Sequence, residues 1–278
     1  MKSIFDTLSH DMSEMTTKRY STSFSLGISF LSKDLHNAIY GIYGFVRFAD
    51  EIVDSFQGFD KEKLLADFRE QTFEAIEDKI SLNPILNSFQ WAVNEYRIPL
   101  ELIDTFLKSM EMDLDQIDYD QKEYEKYILG SAEVVGLMCL KVFVNGDEKE
   151  YIRLKPSAMK LGSAFQKINF LRDLSADFKD LGRTYFPGVD MKTFNQTIKK
   201  QIEADIELDF KAGYEGIKQL PKNSRFGVYM AYKYYYKLFQ KIKSTQPQTI
   251  LNERVRIRNT KKYRLFVTSL VRHNLNML

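Results

Sequence analysis

The chain is poor in the residues that interrupt helices and in those that lock a fold covalently. Its 13 glycines and 6 prolines among 278 residues make up about 7% of the chain, against a usual ~12%, so long unbroken helices are expected. A single cysteine, Cys139, excludes an internal disulfide and fits a reducing compartment, and the expected location is the cytoplasm. Three histidines and that one thiol offer little to zinc. The longest apolar stretch, residues 127–144, is broken by Glu133 and Lys141 and reads as a buried helix rather than a membrane span. The opening Met1 to Asp6 lacks the basic and then apolar order of a secretory leader. Charge of one sign is also lacking: a net +2 is too small to point to nucleic acid as a partner.

What remains is ordinary globular material, 44% hydrophobic and 28% charged, which excludes disorder, collagen-like structure and a coiled-coil rod. Apolar residues recur at three- and four-residue intervals in Ile39-Ile42-Tyr43-Val46, Ile103-Phe106-Leu107-Met110 and Leu161-Phe165-Ile168-Leu171, the period of a helix with one buried face. No alternating segment argues for a sheet. The spacing and the proline positions predict helices at about 34–55, 60–79, 84–96, 99–112, 121–144, 149–179, 193–217, 222–244 and 247–274, with Pro156 able to open the long one. No repeat, low-complexity tract or long linker divides the chain, so one all-α domain over residues 1–278 is expected.

Two segments carry chemistry. In Arg47-Phe48-Ala49-Asp50-Glu51-Ile52-Val53-Asp54, helical spacing puts Asp50 and Asp54 on one face, one turn apart. In the segment from Gln166 to Asp177, Gln166, Asn169, Asp173 and Asp177 fall within about 80° of one another at 100° per residue, a stripe of oxygen ligands on an otherwise apolar helix. Hard divalent cations favour that donor set, and Mg²⁺ in particular is held by one or two carboxylates, waters and substrate phosphate oxygens. Facing each other, four aspartates would repel unless cations or a metal–phosphate complex neutralised them. The expected substrate is therefore a phosphate or diphosphate ester. Residues 251–278 add seven Lys or Arg against Glu253 alone, an end that wants an anion. The acidic run Glu111, Asp113, Asp115, Asp118, Asp120 reads as a solvated helix end, and Glu133 as the partner of a core cation.

These residues resemble the squalene/phytoene synthase family, the head-to-head trans-isoprenyl diphosphate synthases. The likeness runs through Ser21-Thr22-Ser23-Phe24-Ser25, Ala38 to Tyr43, Arg47 to Asp54, Met110 to Leu114, Tyr127 to Met138, Gln166 to Asp177, Gly182 to Pro187, then Tyr235, Leu238, Phe239 and Glu253-Arg254-Val255. It implies an isoprenoid synthase fold, a helical bundle around a central hydrophobic cavity. It also implies condensation of two allylic prenyl diphosphates to a cyclopropylcarbinyl diphosphate, which ionises again and rearranges to a linear hydrocarbon. Carried over by position, Asp50, Asp54, Asp173 and Asp177 would hold Mg²⁺, or Mn²⁺ in its place, with Asn169 as a further ligand and Gln166 beside it. Ser21, Ser23, Arg47, Tyr235, Arg254 and Lys262 would contact diphosphate, and Phe24, Tyr43, Tyr127, Val135, Gly136 and Leu137 would line the prenyl channels.

Within the family, the resemblance implies phytoene synthesis from two C20 geranylgeranyl diphosphates, finished by proton loss with no reduced nicotinamide (NADPH) required. Dehydrosqualene or squalene synthesis from C15 farnesyl diphosphate is the alternative, the choice resting on cavity depth, which Phe24 or Leu137 would limit. A non-catalytic scaffold of the same fold is a third reading, although such relatives lose acidic residues and all four aspartates remain here. The closing Ser269 to Leu278 is too short and polar to span a bilayer. The basic C-terminal segment either rests on the inner face of the membrane or packs as a terminal helix with its cations toward diphosphate. Two departures stand out: Lys167, expected to project outward, and Thr22, where some relatives carry a lysine that Lys18 or Arg19 would replace. Oligomeric state is not legible.

Overall fold

In a computed structural model, the structure describes residues 1–114, 119–181, 185–189 and 193–257, the side chains of 176–181 excepted. Among the described residues there is no strand. The helices are α1 (Lys2–Tyr20), α2 (Thr22–Ser29), α3 (Lys33–Ser55), α4 (Lys61–Asp78), α5 (Pro84–Tyr96) and α6 (Leu100–Met112). They continue with α7 (Gln121–Ile128), a π-helical turn (Leu129–Glu133), α8 (Val134–Phe143), α9 (Glu148–Leu181), α10 (Gln196–Gln219), α11 (Lys222–Lys243) and α12 (Pro247–Asn252).

Local chemistry sets most of these boundaries. Asn83 caps α5 by accepting from the N–H groups of Ile85 and Leu86, with Pro84 in the first turn where its missing N–H costs nothing. Asp60 caps α4 through Lys63 N–H, and Asp120 forms a reciprocal capping box with Glu123 on α7. The π turn interrupts what the sequence predicts as one helix over 121–144, and there Gly130 meets α6 so closely that a Cβ would come within 2.5 Å of Ser109 Cβ.

Three expectations change. Pro156 lies inside α9 rather than at its start; Asp147 begins the helix instead, accepting from Glu150 N–H at 3.1 Å. Helices α1 and α2 escape the apolar-period argument because the inward face of α1 carries the fully buried hydroxyls Ser9, Ser13 and Thr17. Ser9 and Thr17 return their hydrogens to the carbonyls of Phe5 and Ser13, so small polar residues pack tightly at little cost. The helix predicted over 247–274 stops at Asn252, and the chain then runs extended so that Val255 and Ile257 are buried; residues beyond 257 lie outside those described.

One large apolar core packs α3 with α4, α5, α6 and α8 around Phe45, Phe89 and Phe106. A second gathers the lower half of α9 with α7, α10 and α11. Helix α9 runs beside α10 along its length and beside α8 and the π turn, where Gly136 of α8 sits against the Ala158 carbonyl and Gly162 of α9 against that of Ala132 in the turn. Glycine at these two places lets the two helices close on one another over the space between the cores.

Candidate active site

That space is a cavity of about 670 Å³, walled by α2, α3, α8, α9, α10 and α11. Helix α3 supplies Tyr43, Val46, Arg47, Asp50 and Asp54, the i, i+3, i+4, i+7, i+11 positions of one helical face. Helix α9 supplies a matching stripe from Leu154 through Ala158, Gly162 and Gln166 to Asn169 and Asp173. Both stripes are charged at one end and apolar along the rest, so the cavity has a polar mouth and an apolar depth.

The mouth is a network of ion pairs. Arg47 bonds both Asp50 and Glu51, with its guanidinium 4.4 Å above the ring of Tyr20. Burial works against the Arg47 charge, but Asp50 and Glu51 more than offset it and hold its pKa above the ordinary value. Asp173 is gripped from two sides: Arg172 Nε and Nη2 donate at 2.9 and 2.6 Å, and Arg254 Nε approaches to 2.6 Å. Arg172 also feels burial first, yet the bonded Asp173 carboxylate lifts its pKa. The basic segment after α12 thus reaches the acidic stripe through Arg254.

Below the mouth, the wall turns aromatic. Tyr235 stacks on Phe165 at 4.0 Å, lies 6.1 Å from Phe24 and donates its hydroxyl to Asn169 at 3.4 Å. Burial pushes the Tyr235 phenol up to about 12. Tyr127, Phe170 and Tyr185 form a second aromatic face, with Phe170 and Tyr185 stacked at 4.1 Å. Ring faces of this kind attract a cation by ~0.5–2 kcal/mol each without offering a nucleophile.

The residues singled out in the sequence come together here with few exceptions. Asp50, Asp54, Asp173, Gln166, Asn169, Arg47, Arg254, Tyr235, Ser21, Ser23, Phe24, Tyr43, Tyr127, Val135 and Gly136 all line the one cavity. Ser21 is also the N-cap of α2, accepting from Phe24 N–H. Leu137 does not join them: at 1% exposure it points into the core of α3, α5 and α6, one position off the Val135–Gly136–Cys139 face. The side chain of Asp177, and Lys262 with the rest of the C-terminal basic segment, lie outside the described residues.

Three readings of charged residues are corrected. Lys167 does not project outward; it is buried between Asp205 and Asp209 of α10, and these carboxylates outweigh the burial cost and raise its pKa. Asp113 is not a solvated helix end but a buried carboxylate accepting from the Tyr127 hydroxyl at 2.7 Å. Glu133 accepts a hydrogen bond from Ser163, with Lys160 and Lys167 acting on it only as nearby charges. Arg172 and Tyr185, given no role from sequence, line the cavity as well. Both stood inside segments that carry the resemblance, Arg172 in Gln166 to Asp177 and Tyr185 in Gly182 to Pro187, and that was the signal for each; past the end of α9, periodicity adds none for Tyr185.

Comparison with known proteins shows the family and the fold. A family model described as squalene/phytoene synthase matches residues 17–261. A phytoene synthase of Arthrospira platensis is 24% identical over 280 residues, covering 91% of this chain and 90% of that protein. A 4,4'-diapophytoene synthase of Staphylococcus haemolyticus is 26% identical over 191 residues, covering 68% of this chain and 65% of the relative. A dehydrosqualene synthase crystallised with a ligand shares the fold at a TM-score of 0.84 and 21% identity, over 98% of both chains.

Proposed function

The chain belongs to the squalene/phytoene synthase family, in which prenyl diphosphates are condensed head to head, and from that premise we propose that it joins two geranylgeranyl diphosphates to phytoene. The reaction runs through a cyclopropylcarbinyl diphosphate and serves carotenoid synthesis. The observation that carries the reading is the polarity of the cavity: Asp50 and Asp54 on α3 and Asp173 on α9 line one end of a chamber whose remaining length is apolar.

A divalent cation fits the donor set at that end. The oxygen-bearing side chains Asp50, Asp54, Asn169 and Asp173 suit Mg²⁺ or Mn²⁺. Among the described residues, which exclude the Asp177 side chain, no three His, Cys, Asp or Glu groups are placed to hold a metal ion by themselves. Asp50, Asp54, Asp173 and Asp177 would hold it, and when bound it supplies positive charge opposite the departing diphosphate. Arg47, Arg172 and Arg254 add donors aimed at the same oxygens, and Ser21, Ser23 and Lys262 extend that grip. Phe24, Tyr43, Phe165 and Tyr235 then face the allylic cation and keep water from it.

Depth favours the C20 substrate. From Asp173 to Leu154 the α9 stripe covers 19 residues, about 28 Å at 1.5 Å per residue. Three backbone bonds span about 3.8 Å, so a four-bond isoprene unit spans about 5 Å, a C20 tail about 20 Å and a C15 tail about 15 Å. Both fit, and only the longer uses the space lined by Ala158, Gly216 and Leu220. No reduced nicotinamide enters this reading, which ends in proton loss. The protein is assigned to the cytoplasm, peripheral to the inner face of the membrane that its lipid product enters. No helix of the described residues is long and apolar enough to cross a bilayer.

The test is incubation of the purified protein with labelled C15 and C20 prenyl diphosphates and Mg²⁺, with and without NADPH, followed by identification of the hydrocarbon. Phytoene from the C20 substrate, independent of NADPH, is expected. Dehydrosqualene from the C15 substrate alone would move the assignment to the shorter chain. A folded protein that released no diphosphate from either would favour the scaffold reading.

A further inference from the structure

Below the mouth of the cavity, a carboxylate is buried against two phenols that line it. Asp113, in the turn after α6, is 5% exposed, and its oxygens face two phenols: Tyr127 donates to Oδ2 at 2.7 Å and Tyr185 to Oδ1 at 3.4 Å. A carboxylate removed from water is costly unless bonded, and here two of its bonds come from side chains that themselves line the cavity. The phenols lie close under the acidic stripe. Phe170, the residue after Asn169, stacks on Tyr185 and has its ring centre 5.9 Å from that of Tyr127. Seen from the cavity, Tyr127 is a hydroxyl whose hydrogen points away, toward Asp113, and whose lone pair is therefore left to accept.

Resting on the condensation proposed above, we infer that Asp113 is the final acceptor of the proton lost by the last carbocation, acting through Tyr127. The step balances without any oxidant or reductant. A C–H bond next to the cationic carbon breaks, and its electron pair becomes the new C=C bond. The proton passes to Tyr127 Oη while the phenol's own hydrogen passes to Asp113 Oδ2. Tyr127 is neutral before and after, and Asp113 ends as a carboxylic acid that loses its proton to water once the product has left. Tyrosinate is never required, which matters because burial first, and the Asp113 charge second, hold the Tyr127 phenol well above its ordinary range. Tyr127 touches the reacting carbons; Asp113 is a positioning residue that acts through it. Tyr185, stacked on Phe170, fixes the other carboxylate oxygen.

Product partition tests this, since a cation that cannot lose its proton is trapped by water as an alcohol or stalls as the cyclopropylcarbinyl diphosphate. Asp113→Asn keeps an oxygen for the Tyr127 hydrogen bond but is a poor proton acceptor. It should lower the hydrocarbon-to-alcohol ratio by about a hundredfold, the usual scale of proton-transfer catalysis, while the cyclopropylcarbinyl diphosphate still forms. Tyr127→Phe, which removes only the hydroxyl, should shift products the same way and carries the test if the Asn variant does not fold. Asp113→Glu should restore part of the hydrocarbon. Wild-type product ratios in folded Asp113→Asn and Tyr127→Phe would overturn the inference and leave the released diphosphate as the base. Loss of intermediate and hydrocarbon together in both folded variants would also overturn it, as a structural role. Absence of any condensation by the wild-type protein would instead overturn the proposed function itself.

Discussion

Asp173 accepts from two guanidinium groups at once, and the two are not equivalent. Arg172 sits on the same helix with its side chain mostly buried, whereas Arg254 arrives from the extended segment after α12 and is 46% exposed. Arg254 is the partner that an incoming diphosphate can recruit at little cost, because an exposed ion pair is worth only ~0–1 kcal/mol. Asp50→Asn, which leaves Arg47 its second partner Glu51, and Asp173→Asn should each lower turnover by at least about 10²–10³, the scale of a removed electrostatic contact, in a protein whose circular dichroism is unchanged. Retained activity in both would remove the metal assignment. Glu133 tests the electrostatics elsewhere. Burial raises its pKa above the ordinary carboxylate value, so the folded state binds more protons than the unfolded one around and above that value. Stability from this group is therefore present in acid and lost as pH climbs through the raised value. Glu133→Gln should melt higher than wild type at neutral pH, and the difference should vanish by about pH 4, where both side chains are uncharged. Thermal unfolding at the two pH values reads this directly. The aspartate motifs were legible in sequence because spacing alone aligns them; Asp113 was not, since nothing near it in the chain announces that Tyr127 and Tyr185 will cover it.

At the scale of elements, legibility follows the chemistry of the buried face. Helices α3, α5 and α6 bury apolar residues at helical period and were bounded to within a residue or so. Helix α1 buries Ser9, Ser13 and Thr17 at 0% exposure and turns Ile4, Leu8 and Met15 outward, the reverse of the pattern by which helices are found. Its packing depends on small size: Gly44 of α3 stands where a Cβ would come within 3.2 Å of Ser13 Oγ. Ser13→Leu should therefore cost about 1–3 kcal/mol by overpacking, measured from the denaturant midpoint. Depth along α9 gives a second prediction. Ala158 lies 15 residues from Asp173, about 22 Å along the helix axis; with the diphosphate and its ions taking about the first 5 Å, a C20 tail reaches past it and a C15 tail stops short. A larger side chain there fills the deep end of the cavity, so Ala158→Phe should suppress use of the C20 diphosphate and spare the C15 one. Competition between the two labelled substrates would show it, and an unchanged preference would mean that the tails do not follow α9.

Across the whole molecule, the arrangement is two helices with acidic ends set into two apolar cores, with a hollow between them that glycines border where helices approach and aromatic rings line below the mouth. That an all-α chain carries two oxygen-rich stripes of the kind that suit a metal-bound phosphate ester was readable from residue types and spacing. That the stripes share one cavity was not, because it depends on how α8 and α10 flank α9 and on the return of the chain after α12 to bring Arg254 against Asp173. The central claim is that these acidic ends jointly receive a metal-bound diphosphate whose tail runs into the apolar depth. A crystal grown with a thio-diphosphate analogue that cannot ionise, and with Mn²⁺ for its anomalous signal, tests it most directly. The account predicts manganese bridging diphosphate oxygens to Asp50 or Asp54 on one side and Asp173 on the other, with the prenyl chain reaching toward Ala158. Manganese and diphosphate bound away from those carboxylates, or a tail lying outside the cavity, would contradict it.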